Sequence, residues 1–485
     1  MSACKRLIAR LDVKGKKLIK GIRFEGLRVI GDACDAAENY ASQGIDEIFY
    51  TDAVASLYGR NGLDEILRAT TKKVFVPITA GGAIRSVEDG RKLLAAGADK
   101  LAINSAAIKD PNLINKLSKR FGKQCVVVSI QVVYSANSNW EVMIESGRER
   151  TSRDLLEWIT ECQMQGAGEI FVTSVDRDGT ESGPDLSLLE KIIDNVKVPL
   201  VFGGGFSSEK DLIKVFGNYT NLSGISLGSA LHYKNINISS SKENISKLDL
   251  PFRKIKNNLN VSSIQENISA SIIDYGMGNT QSLINAFSLL GIKCQLTTDF
   301  EVIENNHICI LPGVGAYPEG MKQLHKFDLI KDIKEFSNSG GCLLGICLGM
   351  QLLLTKGTEY EKCDGLDIIP GTIEKLPDLS IDGKNTILPH VGWNTIKAND
   401  KVNNFATEYN NVYQYFVHSY GLKFSEEINY NTLFSTDFEG HKIVSMVRKK
   451  NTVGMQFHPE RSGRHGLNLI RSTVKELINN KFNFY

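Results

Sequence analysis

Two α/β units in series, a (β/α)8 barrel followed by an open-sheet domain, are predicted by this 485-residue sequence. Three observations carry the expectation. Short apolar runs alternate with amphipathic stretches from residue 6 to about 233, the rhythm of parallel strands joined by crossover helices. The segment Val76-Pro77-Ile78-Thr79-Ala80-Gly81-Gly82-Ala83-Ile84 is echoed by Val198-Pro199-Leu200-Val201-Phe202-Gly203-Gly204-Gly205-Phe206, so the first unit repeats itself by halves. After a polar stretch, a fresh strand, glycine turn and helix begin at Ala270.

In chain order, strands are expected at Leu7–Leu11, Ile48–Tyr50, Val74–Ile78, Leu101–Ile103, Val126–Ile130, Ile170–Thr173, Leu200–Phe202 and Gly224–Leu227. They place a barrel over residues 1–235. Residues 236–268 are rich in Asn, Ser, Lys and Ile, with weak periodicity and one proline, Pro251; they read as a polar linker with room for a last short helix. Residues 269–485 form the second unit. It opens with a strand at Ser271–Asp274, a Gly-Met-Gly-Asn turn and a helix from about Thr280.

Composition narrows the function. Basic and acidic residues balance, 57 against 55, so no field favours nucleic acid or an anionic membrane. Nine cysteines without framework spacing fit a reducing cytoplasm. The opening Met1–Arg6 leads into a strand and not into a signal sequence, and no apolar run approaches a membrane span.

The chemistry concentrates at two places. Gly345-Ile346-Cys347-Leu348-Gly349 follows the apolar run Cys342–Leu344. A cysteine between glycines at a strand end reads as a nucleophile elbow, its thiol at the start of a helix near Met350. Alone, it would read as a buried cysteine in a tight turn. His458 and Glu460, spaced to project from one extended segment, shift the reading to thiol-based acyl transfer. In the barrel, both glycine turns present backbone N–H groups to a phosphate. Each is followed by a strand ending in a small polar pair, Asn104-Ser105 or Gly228-Ser229, so the mouth suits a substrate with a phosphate at each end. The other C-terminal strand ends carry Asp12, Asp52, Gln131 and Ser174 to Asp178. Arg6, Glu47, Lys100 and Glu169 stand at the opposite ends and can pair into a ring that gates the bottom.

These residues carry a resemblance. Leu11-Asp12-Val13-Lys14, Lys20-Gly21, Phe24-Glu25-Gly26, Gly97-Ala98-Asp99-Lys100, Ile103-Asn104-Ser105-Ala106-Ala107 and Asp176-Arg177-Asp178-Gly179-Thr180 resemble the cyclase of imidazole glycerol phosphate synthase. Pro312-Gly313-Val314-Gly315, Gly345–Gln351, Pro389-His390-Val391-Gly392-Trp393-Asn394 and His458-Pro459-Glu460 resemble its class I glutaminase. The cyclase-first order departs from the fused enzymes in which the glutaminase leads.

The resemblance implies that Cys347 attacks the glutamine amide, with His458 as base and Glu460 orienting it. Gly313, Val314 and Gly315 would supply the oxyanion N–H groups, and Gln351 and Glu359 would hold glutamine. Ammonia would enter the barrel through Arg6, Glu47, Lys100 and Glu169, escaping protonation in water. Asn104, Asp178, Gly179, Gly205 and Ser229 would bind phosphates, Asp12 would be a general acid/base, and Lys20 would close a loop over the mouth. The implied reaction converts phosphoribulosyl-formimino-aminoimidazole carboxamide ribotide to imidazole glycerol phosphate and aminoimidazole carboxamide ribotide, in histidine biosynthesis. Its substrates are glutamine and a bisphosphorylated ribotide; no cofactor or metal is implied.

Three positions depart from the pattern. The second acid/base position, on the fifth barrel strand, is Gln131, which cannot move a proton at neutral pH. Val132-Val133-Tyr134 follow where small and basic residues are usual. Ala83 replaces a glycine of the first phosphate turn, and Arg10 stands where a small residue is usual, on the inward face shared with Asp12. These departures resemble second copies of the synthase associated with surface saccharides. The alternative is therefore a glutaminase with a cyclase-dead barrel, supplying ammonia to a separate sugar amidotransferase.

Overall fold

The computed structural model describes residues 3–53, 62–82, 84–135, 139–247, 249–254, 260–264, 267–399, 407–425 and 428–481. Twelve strands build the first half: β1 (Arg6–Lys14), β2 (Lys17–Ile22), β3 (Glu25–Asp32), β4 (Glu47–Asp52), β5 (Ile78–Gly81), β6 (Lys100–Ile103), β7 (Val126–Ser135), β8 (Asn139–Ile144), β9 (Glu149–Asp154), β10 (Glu169–Ser174), β11 (Leu200–Gly203) and β12 (Gly224–Leu227). Eight of them, β1-β4-β5-β6-β7-β10-β11-β12, form a closed parallel barrel, with β12 returning to β1 through Gly224 opposite Arg6.

Two differences from the sequence reading have local causes. The third barrel strand begins at Ile78 and not at Val74. Pro77 has no N–H to give a ladder, and its carbonyl accepts instead from Ile48 N–H. Two hairpins are also added at the mouth. β2 and β3 fold back on the end of β1, Asp12 opposite Ile19. β8 and β9 extend β7, Gln131 opposite Met143. Lys20 therefore stands on a strand of a hairpin folded against the end of β1.

Strand alternation sorts the lumen into layers. At the bottom, Arg6 Nη1 pairs with Glu47 at 2.9 Å and Lys100 Nζ with Glu47 at 2.7 Å, while both cations also bond Glu169. Above lies an apolar layer of Ile8, Phe49, Ala102, Val127, Phe171 and Val201, all buried. The next layer holds Arg10 and Thr173, joined at 3.3 Å. The four charges of the ring are buried, and each carboxylate is shared between two cations. Lys100→Met would leave that sharing broken inside the barrel. It is expected to cost about 3–5 kcal/mol, read as a lower denaturation midpoint; an unchanged midpoint would contradict this packing.

Residues 236–268 do carry a helix, Ile238–Ser246, capped by the Asn237 side chain on Ser240 N–H. Its buried Ile238 and Ile245 lie on the barrel, and the Lys242 ammonium bonds Asp46 and, at 3.0 Å, the Gly44 carbonyl. Beyond it, Arg253 reaches Asp46 at 2.9 Å and lies 4.0 Å from the Trp393 ring centroid.

The second half is an open mixed sheet. Its parallel centre runs Lys293–Thr297, Ser269–Ile273, Ile308–Leu311, Cys342–Ile346, Thr452–Met455, and continues antiparallel through His441–Lys449. This domain sits on the barrel bottom. Cys4 N–H donates to Trp393 O at 2.9 Å, and Trp393 Nε1 donates to Asp46 O at 3.1 Å. Asp99 is the densest junction: Arg461 Nε lies 2.9 Å away, and Asn279 Nδ2 and Ile78 N–H donate at 2.9 and 2.8 Å. Among the described residues, no helix is long and apolar enough to cross a membrane.

Candidate functional site

The strand Cys342–Ile346 ends in the elbow, and a helix starts at once, at Leu348. Cys347 takes φ +52°, a left-handed conformation costly for a residue with a Cβ. Its neighbours explain how the turn survives. A Cβ on Gly349 would lie 1.9 Å from Leu311 O, and one on Gly345 would lie 2.8 Å from Met350 N. Cys347 N–H is fixed to Met455 O at 2.7 Å, which ties the elbow to the adjacent strand.

That strand leads to the base. His458 N–H donates to Tyr415 O at 2.9 Å, and His458 Nδ1 lies 2.7 Å from Glu460 Oε1. The pair does not project from an extended segment. Pro459–Arg461 is a 3₁₀ turn, which folds Glu460 back beneath the ring. Among the described residues, His458 Nε2 makes no hydrogen bond and is left for the thiol. Burial alone would lower the His458 pKa, but Cys347 and Glu460 together hold it well above the ordinary value. That direction favours the imidazolium form of His458 between Cys347 and Glu460.

Gln456, which the sequence reading passed over, completes the arrangement. Its Nε2 approaches Cys347 Sγ at 3.7 Å, and its Oε1 accepts from Gln351 Nε2 at 3.0 Å. Gln351 also donates to Tyr420 O at 2.9 Å. The only signal for Gln456 was its place two residues before His458. In the Gly313-Val314-Gly315 turn, Gly313 O accepts a long bond from Leu348 N–H, 3.4 Å, and Tyr275 OH anchors Pro312 O at 2.6 Å.

Glu359 is buried and accepts from Tyr317 N–H at 2.8 Å. Burial pushes its pKa up to about 7, against the Tyr317 N–H and Lys123. It borders an interdomain cleft of about 860 Å³, together with Lys123, Tyr360, Pro389 and Tyr420. If its carboxylate receives the glutamine ammonium, the charged form binds. The KM for glutamine should then rise as pH falls below about 7, and Glu359→Gln should raise KM and flatten that profile. A parallel pH dependence in the variant would place the titration elsewhere.

At the opposite end of the barrel, Asp12 is neither free nor alone. Arg10 Nε donates to it at 2.9 Å, and Lys20 Nζ lies 3.7 Å away. Burial would raise the Asp12 pKa, but Arg10 and then Lys20 hold it below the usual carboxylate range. Lys20 bonds Asp178 at 2.6 Å, and Arg23 N–H donates to Asp178 O at 2.8 Å, which brings the β2–β3 hairpin down against Gly179. Gln131 Oε1 accepts from Asn104 Nδ2 at 3.3 Å.

The two glycine turns line separate cavities. The first, of about 340 Å³, includes Gly81, Gly82, Asn104, Ser105 and Gln131. Ala83 lies outside the described residues. The second is lined by Gly203–Gly205, Ser226, Ser229, Asp178 and Arg10. Gly204 and Gly205 have φ +102° and +85°, and a Cβ on Gly205 would meet Gly183 O at 2.2 Å. The structure therefore brings Asp12, Lys20, Asp178, Gly179, Gly205 and Ser229 to one side of the mouth. Asn104 and Gln131 are on the other.

Comparison with known proteins agrees with both halves. Residues 6–237 match the model of the histidine biosynthesis protein family, and residues 271–477 match that of the class-I glutamine amidotransferases. The barrel is similar to the imidazole glycerol phosphate synthase subunit HisF of Legionella pneumophila, 52% identical over 200 residues, 41% of this chain and 94% of the relative. It is also similar to the HisF subunits of Lactococcus lactis subsp. cremoris (strain SK11) and Helicobacter hepaticus. These are 42% and 41% identical, each over 253 residues and 52% of this chain, and over 97% and 100% of the relatives.

Fold and site together define an enzyme that joins a cyclase-type barrel to a glutaminase. The chain belongs to the histidine biosynthesis protein family. It carries a fused class-I glutamine amidotransferase domain, the architecture of an imidazole glycerol phosphate synthase.

Proposed function

We propose that this chain hydrolyses glutamine at Cys347 and conducts the ammonia through the barrel to a bisphosphorylated ribotide. Cys347 is the nucleophile, His458 takes its proton, and Glu460 holds the imidazolium. The turn at Gly313, Val314 and Gly315 stabilises the oxyanion, and Gln351 and Glu359 orient glutamine. One observation supports the route above others. The glutaminase covers the bottom of the barrel, where the ring of Arg6, Glu47, Lys100 and Glu169 opens onto the apolar layer of Ile8, Phe49 and Phe171. A neutral ammonia molecule suits that layer, and exclusion of water keeps it unprotonated.

At the mouth, Asn104, Asp178, Gly179, Gly205 and Ser229 hold the two phosphates beneath Lys20. Asp12 moves the protons of ring closure, giving imidazole glycerol phosphate and aminoimidazole carboxamide ribotide. Histidine biosynthesis in the cytoplasm is the setting; nine free cysteines are consistent with a reducing compartment.

A second reading has its own observation. Arg10 clamps Asp12 and the partner position is Gln131, so neither of the two acid/base positions holds a free carboxylic acid. That arrangement favours a barrel that passes ammonia on to a separate sugar amidotransferase. The experiment is turnover of the formimino ribotide by the purified chain, with glutamine or free ammonium as nitrogen source. Ring closure from either source supports the first reading. Glutamine hydrolysis without ring closure from either supports the second.

A further inference from the structure

The second glycine turn is not a cradle of backbone alone. Arg10 projects from β1 into its cavity, 5% exposed, beside Gly203–Gly205, Ser226 and Ser229. Its guanidinium is held in place from several sides. Nε is on Asp12 Oδ1 at 2.9 Å and Nη1 on Thr173 Oγ1 at 3.3 Å, and the Phe24 ring centroid is 4.9 Å from Cζ. Nε and Nη1 account for the Arg10 side-chain hydrogen bonds among the described residues, which leaves the Nη2 edge.

A second atom in the cavity is also without a partner. Ser226 is 4% exposed and its buried Oγ makes no hydrogen bond among the described residues. Unmade hydrogen bonds of this kind are costly unless an acceptor arrives. Asp178 lines the cavity as well, but Lys20 already takes its charge, as Arg10 takes that of Asp12. The four charges cancel. What remains for a ligand is a spare guanidinium N–H edge, one hydroxyl and the N–H groups of the glycine turn.

We propose that Arg10 is a phosphate ligand of the second cradle, committing this barrel to a substrate with a phosphate monoester at that end. A phosphate oxygen accepts from Nη2 without displacing Nε from Asp12, since the planar fork serves both partners at once. Ser226 Oγ donates to a second oxygen. Arg10 thus adds a rigidly held N–H donor to what a glycine turn offers by geometry alone. The inference rests on the reading of the mouth as a bisphosphate site.

The test is titration of the full chain with inorganic phosphate, by calorimetry, in wild type, Arg10→Gln and Arg10→Lys. The wild type is expected to bind two phosphates. Arg10→Gln should keep the first-cradle affinity and weaken the second by about tenfold to a hundredfold. Arg10→Lys should recover part of that loss. Two sites of wild-type affinity in Arg10→Gln would overturn the role of Arg10 and leave the bisphosphate reading standing. No binding by the wild type would overturn both. If Arg10→Gln loses both sites, Arg10→Lys decides: binding regained supports Arg10 as the donor, and binding still absent overturns it.

Discussion

Cys347→Ala is expected to lower glutamine hydrolysis by at least about a thousandfold, because nothing else at the elbow can form the acyl intermediate. The cost to the fold should be small. Alanine accepts the φ +52° turn no worse than cysteine does, and the Cys347 N–H bond to Met455 O is backbone. The thiol gives up only the 3.7 Å contact with Gln456 and its electrostatic interaction with His458. Loss of activity with the denaturation midpoint kept within about 1 kcal/mol of wild type is therefore the expected pattern. Ammonia release above a tenth of the wild-type rate would remove Cys347 from its role. The His458 pKa should fall in the same variant, since Cys347 is a leading cause of its elevation. Titration of the ring by nuclear magnetic resonance reads that directly.

Gln131→Asp is expected to raise ring closure by about a hundred- to ten-thousandfold, the usual worth of a positioned general acid or base. The position is prepared for a carboxylate. Gln131 is buried opposite Met143 in the β7–β8 pairing, and Asn104 Nδ2 already donates to its side-chain oxygen at 3.3 Å. An aspartate there is one methylene shorter and accepts the same donor from the same strand. The Arg10 clamp on Asp12 is unchanged by the substitution, so a gain would show that a clamped Asp12 still serves when paired across the mouth. No gain over wild type would mean that ring closure is not the work of this barrel, and would move the weight to ammonia transfer.

The sites were unequally legible. Cys347, His458 and Glu460 stand in compact motifs whose local geometry is set by their neighbours, above all Gly345 and Gly349, so spacing alone located them. The charged ring was legible from four strand-starting residues of alternating sign, and Arg10 with Asp12 from the period-two rule. The β2–β3 hairpin that carries Lys20 was not read, because the pairing of β2 with β1 and β3 is not local information. Gln456 carries no motif; its contact with Cys347 exists because Cys342–Ile346 and Thr452–Met455 lie side by side in the sheet. The Asp99 junction with Arg461 and Asn279 was equally hidden, since its partners come from distant segments on two domains.

The two units, their order, the nucleophile elbow and the paired glycine turns were legible in the chain alone, while Gln131 stood out as a missing carboxylate only through the family resemblance. The former rest on periodicity or on residues within a few positions of one another, where the backbone sets the geometry. Three-dimensional packing was needed to show that the glutaminase caps the bottom of the barrel, that the four ring charges pair with one another, and that Arg10 reaches both Asp12 and the second cradle. Those facts depend on strand register and on docking between surfaces far apart in the chain, and no local pattern encodes a distance across a closed barrel.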